Sequence, residues 1–258
     1  MDTFVKERAH APDQFFEAEA AGLRWLAEAE SSGGARTVRV VDVAPGRIEL
    51  ERIHEARPAR DQALAFGRAL AITHDAGSVT FGAPPTGHSG PLYIGSREMP
   101  AGTAATWGAF YAPNRVLPFL DPALTAGNLR EEEAVVVREA CALLEAGALD
   151  DGEPPARIHG DLWAGNVMWS ADGVVLIDPA AHGGHRETDL AMLALFGAPH
   201  LESILEGYQQ VHPLRSGWSA RIPAHQLHPL AVHAAGHGRS YGVELTAAAR
   251  RTLALAEC

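Results

Sequence analysis

Asp161, Asn166 and Asp178 are three oxygen-bearing side chains whose order and spacing suit one reaction. Asp161 lies in the run Ile158-His159-Gly160-Asp161-Leu162-Trp163-Ala164-Gly165-Asn166, five residues ahead of Asn166. Asp178 closes the apolar run Val174-Val175-Leu176-Ile177, twelve residues past the asparagine. In phosphoryl transfer one carboxylate accepts the proton of an attacking hydroxyl. An amide oxygen and a second carboxylate hold the magnesium that neutralises the phosphates. The base and the amide share one loop, and the second carboxylate stands at the start of the next. The pattern assigns Asp161 as base and Asn166 and Asp178 as metal ligands, with ATP and Mg2+ as the implied reagents. Singly, each would read as a turn or cap residue.

Such a trio works only if the chain folds it together. Val167-Met168-Trp169 and Val174 to Ile177 are short apolar runs joined by Ala171-Asp172-Gly173, the pattern of a β-hairpin. That hairpin would return Asp178 to Asn166. Far upstream, Phe4-Val5-Lys6 reads as a strand, followed by a helix from Pro12 to Leu26, with Phe15, Phe16, Leu23 and Leu26 spaced for one buried face. A strand lysine on the phosphates and a helix glutamate orienting it are further parts of this machinery, and Lys6 and Glu19 fit them. On position alone they read equally as an exposed lysine and a solvated glutamate.

The motif His-Gly-Asp-Leu-Trp-Ala-Gly-Asn at 159–166, with Leu-Ile-Asp-Pro-Ala-Ala-His-Gly-Gly-His-Arg-Glu-Thr-Asp at 176–189, resembles the fructosamine kinase (ketosamine-3-kinase) family. Its wider relatives are the aminoglycoside phosphotransferases, the choline kinases and, distantly, the protein kinases. The His-Gly-Asp core with Asn five residues on is shared by the small-molecule kinases among these; the Leu-Trp and the Gly-His-Arg-Glu are much more specific to fructosamine kinases. The resemblance covers nearly all of residues 3–255. It implies an α+β, two-lobed protein-kinase-like fold, with a small β-rich N-lobe over residues 1–55 and a larger, mainly helical C-lobe over 56–258. It implies ATP-dependent phosphorylation of a ketosamine at its third carbon, which destabilises the adduct and repairs a glycated amine. The glycated amine is a free fructosamine or ribulosamine, or a protein lysine.

By the same resemblance Glu19, rather than Glu17, is the helix glutamate; Leu50 is the gatekeeper; and the backbone of Glu51 and Ile53 meets the adenine edge. Trp163, two residues past the base, is expected against the sugar. His185, Arg186 and Trp218 are further substrate candidates. His159, and Asp189 at the start of the next helix, are expected to be structural, the latter pinning the catalytic loop. The family's Gly-rich hairpin precedes the lysine, which here is the sixth residue, so the N-lobe is expected to lack that cover. An aminoglycoside- or choline-type kinase, and a nucleotide-binding pseudokinase without turnover, are the competing readings.

Composition excludes other classes. The chain has 258 residues, 47 % hydrophobic and 21 % charged, with a net charge of −11. Nucleic-acid binders need a basic face, which that balance disfavours. No apolar run reaches the roughly 18 residues that span a bilayer, and the start lacks a signal-peptide pattern. A cytoplasmic protein follows, with oligomeric state open. Cys141 and Cys258 are too few for a disulfide framework. Cys141 reads as a small buried hydrophobe in a helix, Cys258 as terminal and exposed.

The rest of the chain reads as follows. Thr37 to Val43 and Arg47 to Ile53 form a hairpin, and 60–76 a helix ending in a structural His74. Residues 82–102 form a Gly- and Pro-rich loop over the surface, a candidate substrate segment. A helical segment opening at Trp107 is interrupted at Pro113, and Trp107 and Tyr111 are either core or sugar-stacking. Asn128 to Ala148 is a long helix. Residues 179–186 are a loop in which His182 and His185 lack the ligand set of a zinc site. Helices follow over 187–197, 201–211 and 222–236, and the last begins with Thr246 as N-cap. His225, His228, His233 and His237 read as packing or surface histidines.

Overall fold

The computed structural model describes residues 2–256, so Cys258 lies outside the described residues. The chain divides into two compact units. The first comprises residues up to 79, 83–99 and 155–214; the second comprises 80–82, 100–154 and the chain from 215 onward.

The first unit begins with β1 (Thr3–Glu7), α1 (Phe15–Ala27), β2 (Val40–Ala44) and β3 (Arg47–Glu51). The sheet order is β1-β3-β2, antiparallel throughout, with Lys6 opposite Ile48. β3 alternates as a half-buried strand should, placing Ile48 and Leu50 inward. α1 lays Phe16, Ala20 and Leu23 against those residues and against Val38 and Val175. Burial of each large side chain contributes about 1.5–3 kcal/mol. β2 is shorter than the apolar run suggested. Residues 36–38 leave the hairpin and bond to Leu176 instead, tying the sheet to the strand that leads to Asp178.

α2 (Arg60–Asp75) ends at a fully buried His74. The segment read as a surface loop contains a second hairpin, β4 (Leu92–Ile94) and β5 (Arg97–Met99). Two three-residue strands among Gly and Pro carry too little alternation to read as a hairpin.

The second unit holds α3 (Trp107–Tyr111), α4 (Leu120–Thr125) and α5 (Glu131–Glu145). Trp107 and Tyr111 are buried core, and a π-helical turn carries the chain past Pro113. Cys141 is buried in α5, and burial pushes its thiol up to about 12.

Returning to the first unit, β6 (Ala156–Ile158) leads into the catalytic loop, and β7 (Val167–Ser170) and β8 (Gly173–Leu176) form the expected hairpin, Val167 opposite Leu176. β9 (His182–Gly184) pairs with β6, so the supposed loop after Asp178 includes a short strand. α6 (Arg186–Leu195) and α7 (Leu201–Val211) follow. α2 and α7 cross at reciprocal glycines: a Cβ on Gly67 would lie 2.0 Å from the Ile204 carbonyl oxygen, and one on Gly207 2.0 Å from that of Leu64. Only glycine permits that approach.

The second unit resumes with α8 (Trp218–His225), α9 (Leu227–Ala234) and α10 (Arg239–Leu255). Thr246 therefore caps nothing. It sits inside α10, and its hydroxyl satisfies itself on the Gly242 carbonyl, 2.8 Å away. Among the described residues no helix is long and apolar enough to cross a membrane.

Candidate active site

The catalytic loop is held by its backbone. Asp189, fully buried in the first turn of α6, accepts from the N–H groups of His159 (2.7 Å) and Gly160 (2.9 Å). His159 Nε2 donates to the Ile177 carbonyl (2.9 Å), and its Nδ1 accepts from the Asp161 N–H (3.2 Å). Burial holds that imidazole below its ordinary value, and the neutral form is the one these bonds require. His159 and Asp189 thus bond to the backbone on either side of the loop, and neither lines the cavities described below.

Asn166 Nδ2 donates to the Asp161 carbonyl (2.8 Å) and carboxylate (3.2 Å), and β7 and β8 return the chain so that the Ile177 N–H reaches the Asn166 carbonyl at 3.1 Å. The amide nitrogen is consumed by Asp161, which leaves the amide oxygen as a hard donor. Asp178 stands beside it with φ of 53°, a left-handed conformation that aspartate tolerates better than most residues. Its carboxylate meets Lys6, whose ammonium also reaches Glu19 at 2.8 Å. A carboxylate and a carboxamide oxygen are the donor set magnesium takes, so the residues present fit that ion.

Electrostatics separate the carboxylates. Burial raises the Asp161 carboxyl to about 7; the Asn166 bond opposes this and the charges of Asp178 and Asp189 reinforce it. Glu19 is raised by burial, which Lys6 only partly offsets. Burial would lower Lys6, but Glu19 and Asp178 together carry it above its ordinary value, so it stays charged.

Two cavities meet at this centre. One, of about 470 Å³, is lined by Val38, Leu50, Glu51, Ile53, Met168 and Ile177, an apolar slot edged by β3. The other, of about 510 Å³, holds Asp161, Asn166 and Trp163 together with Arg8, Phe15 and Tyr93. Lys6 and Asp178 line both. Each is of a size that holds a small molecule. Trp163 is 42 % exposed, its ring lying over Gly165 and edge-on to Phe196 at 6.1 Å.

Not every candidate comes to the cavities. His185 is buried as the N-cap of α6, its side chain accepting from the Glu187 N–H. Arg186 is buried too, its guanidinium donating to Asp75 (3.1 Å) and to the Tyr208 hydroxyl (3.0 Å). Neither lines either cavity. Trp218 opens α8, in the second unit. Arg8, Phe15 and Tyr93 were missed as cavity residues. Arg8 was legible as the strand-period neighbour of Lys6; Tyr93 gave no signal.

A family model described as fructosamine kinase matches residues 1–254. The probable ketoamine kinase of Enterococcus faecium is 30 % identical over 250 residues, covering 94 % of this chain and 84 % of its own. That of Thermus thermophilus is 31 % identical over 239 residues, covering 92 % and 82 %. The crystal structure of a candidate fructosamine-3-kinase from Thermobifida fusca superposes with a TM-score of 0.90 at 44 % identity, covering 98 % of this chain and 85 % of that one. An aminoglycoside phosphotransferase solved with ADP and hygromycin B shares the fold alone, with a TM-score of 0.58 at 15 % identity over 93 % of this chain and 82 % of its own.

Proposed function

The chain belongs to the fructosamine kinase family, a sugar-amine kinase of kinase-like α+β fold, and on that premise we propose that it transfers the terminal phosphate of ATP to the 3-hydroxyl of a ketosamine. The product is a destabilised adduct that releases its amine, so the activity is deglycation repair, carried out in the cytoplasm on small glycated amines or glycated protein lysines. One observation carries this reading. Asp161, Asn166, Asp178 and Lys6, from three separate parts of the sequence, converge where two cavities join.

The proposed roles are these. The slot along β3 takes the adenine, with Leu50 at its back and the backbone of Glu51 and Ile53 at its edge. The triphosphate then runs to Lys6, which Glu19 holds in place. Asn166 and Asp178 would hold Mg2+, which when bound neutralises charge on the phosphates. Asp161 accepts the proton of the sugar hydroxyl as its oxygen bonds to the terminal phosphorus, and the bond to the bridging oxygen breaks to release ADP. Trp163 offers its exposed ring to the sugar. His185 and Arg186 serve the reaction by fixing the start of α6, and hence Asp189.

A substrate panel tests the proposal. Phosphate should pass to fructosyl-lysine and not to kanamycin or choline. Transfer to either of the latter alone would replace the acceptor, and ATP binding without transfer to any acceptor would replace the enzyme with a binding module.

A further inference from the structure

The acceptor-side cavity contains a cation that the catalytic scheme does not use. Among the described residues its four carboxylates are Glu7, Glu19, Asp161 and Asp178, and its cations are Lys6 and Arg8. Lys6 is committed to Glu19 and Asp178, and Glu7 lies 3.7 Å from Arg47. Arg8 has no ion pair among the described residues. Its guanidinium is held over the ring of Phe15, 5.2 Å from the centroid. A guanidinium parked on an aromatic face keeps N–H groups free for a bidentate carboxylate.

The platform is itself braced. Tyr93 of β4 lies 5.3 Å from Phe15, centroid to centroid, and its hydroxyl donates to the Asp13 carbonyl at 2.8 Å. The β4–β5 hairpin thus fixes the ring on which Arg8 rests.

Position decides which anion Arg8 meets. The nucleotide slot and the acceptor cavity share Lys6 and Asp178, so the phosphates end there. From Lys6 to Arg8 the cavity wall passes from Glu19 to Phe15, one turn toward the start of α1 and away from the β3 slot. Arg8 therefore stands beyond the transferred phosphate, on the acceptor's side. We infer that Arg8, on its Phe15–Tyr93 platform, is a specificity residue that receives a carboxylate on the amine half of the acceptor, so that glycated amino acids are preferred to glycated neutral amines. This rests on the ketosamine reading above.

The test compares fructosyl-glycine with fructosyl-glycinamide, which differ in that carboxylate alone. The wild-type chain should favour the acid by about five- to tenfold in kcat/KM, the range of a charge-assisted contact near a surface. Arg8→Gln should erase that preference, leaving kcat/KM for the amide and KM for ATP within about twofold of wild type. Retained turnover of the amide certifies that the variant is folded. Equal use of acid and amide by the wild type, or an undiminished preference in the variant, overturns the inference while leaving the ketosamine reading intact. A rise in KM for ATP, with both acceptors falling alike, overturns it by assigning Arg8 to the phosphates. Phosphorylation of neither ketosamine by the wild type overturns both.

Discussion

A base in a phosphoryl-transfer site must be deprotonated yet basic enough to accept a proton, and the surroundings of Asp161, the proposed base, favour both properties. Burial raises its carboxyl to about 7 while Asn166 holds its orientation. Below that pH the protonated form can accept nothing. The value of kcat/KM should therefore fall about tenfold per unit as the pH drops below about 7 and level off above it, a profile readable in a steady-state titration. Asp161→Asn should lower kcat about 100- to 10,000-fold and leave KM for ATP little changed; equal turnover would remove the assignment. These residues were legible because chemistry constrains both type and spacing within one loop and one hairpin. Lys6 and Glu19 were legible only by role, since nothing local distinguishes them from solvated residues. The cavity places of Phe15 and Tyr93 depend on packing between elements far apart in sequence, which spacing does not encode.

At the scale of elements, the catalytic loop is pinned through α6, and that pin extends further than the sequence pattern revealed. The Arg186 guanidinium donates to the Tyr208 hydroxyl, which donates to His74 Nδ1 (2.8 Å), whose Nε2 donates to Asp189 (3.1 Å). Burial holds His74 below its ordinary value, so it stays neutral and can both accept and donate along this chain. Tyr208→Phe strands the buried His74 acceptor and should cost about 1–3 kcal/mol, seen as a lower midpoint in denaturant. If the relay also positions the loop, kcat should fall while KM for ATP holds; loss of stability with unchanged kcat would confine Tyr208 to the core. His74 was legible as a structural histidine at a helix end, but its partners stand 134 and 115 residues away. The short turn Ala164–Asn166 of the loop gives a second test. A Cβ on Gly165 would lie 2.3 Å from the Trp163 ring, so Gly165→Ala should push that ring aside and raise the acceptor KM several-fold, with KM for ATP unmoved. An unchanged acceptor KM would argue that Trp163 does not touch the sugar.

For the whole molecule the electrostatic problem is how a chain of net charge −11 accepts a highly anionic nucleotide. Lys6 is the cation at the junction of the two cavities, and Glu19 and Asp178 already balance it. Without another positive charge, the triphosphate would meet Asp178, the ionised fraction of Asp161 and the field of an acidic surface. Binding and metal should therefore be coupled. A ligand present at about 100 times its Kd stabilises the fold by about 2.7 kcal/mol, which for a chain of this size raises Tm by about 5–10 °C. Millimolar ATP with magnesium should produce a shift of that order, and ATP with a chelator a much smaller one. Asp178→Ala separates the causes, because it removes a metal ligand and a negative charge together. If Asp178 matters as a ligand, the variant should lose the magnesium-dependent part of the shift. If it acts only as a repelling charge, the variant should instead bind metal-free ATP as well as the wild type binds the magnesium complex, and the assignment of Asp178 as a metal ligand would then fail.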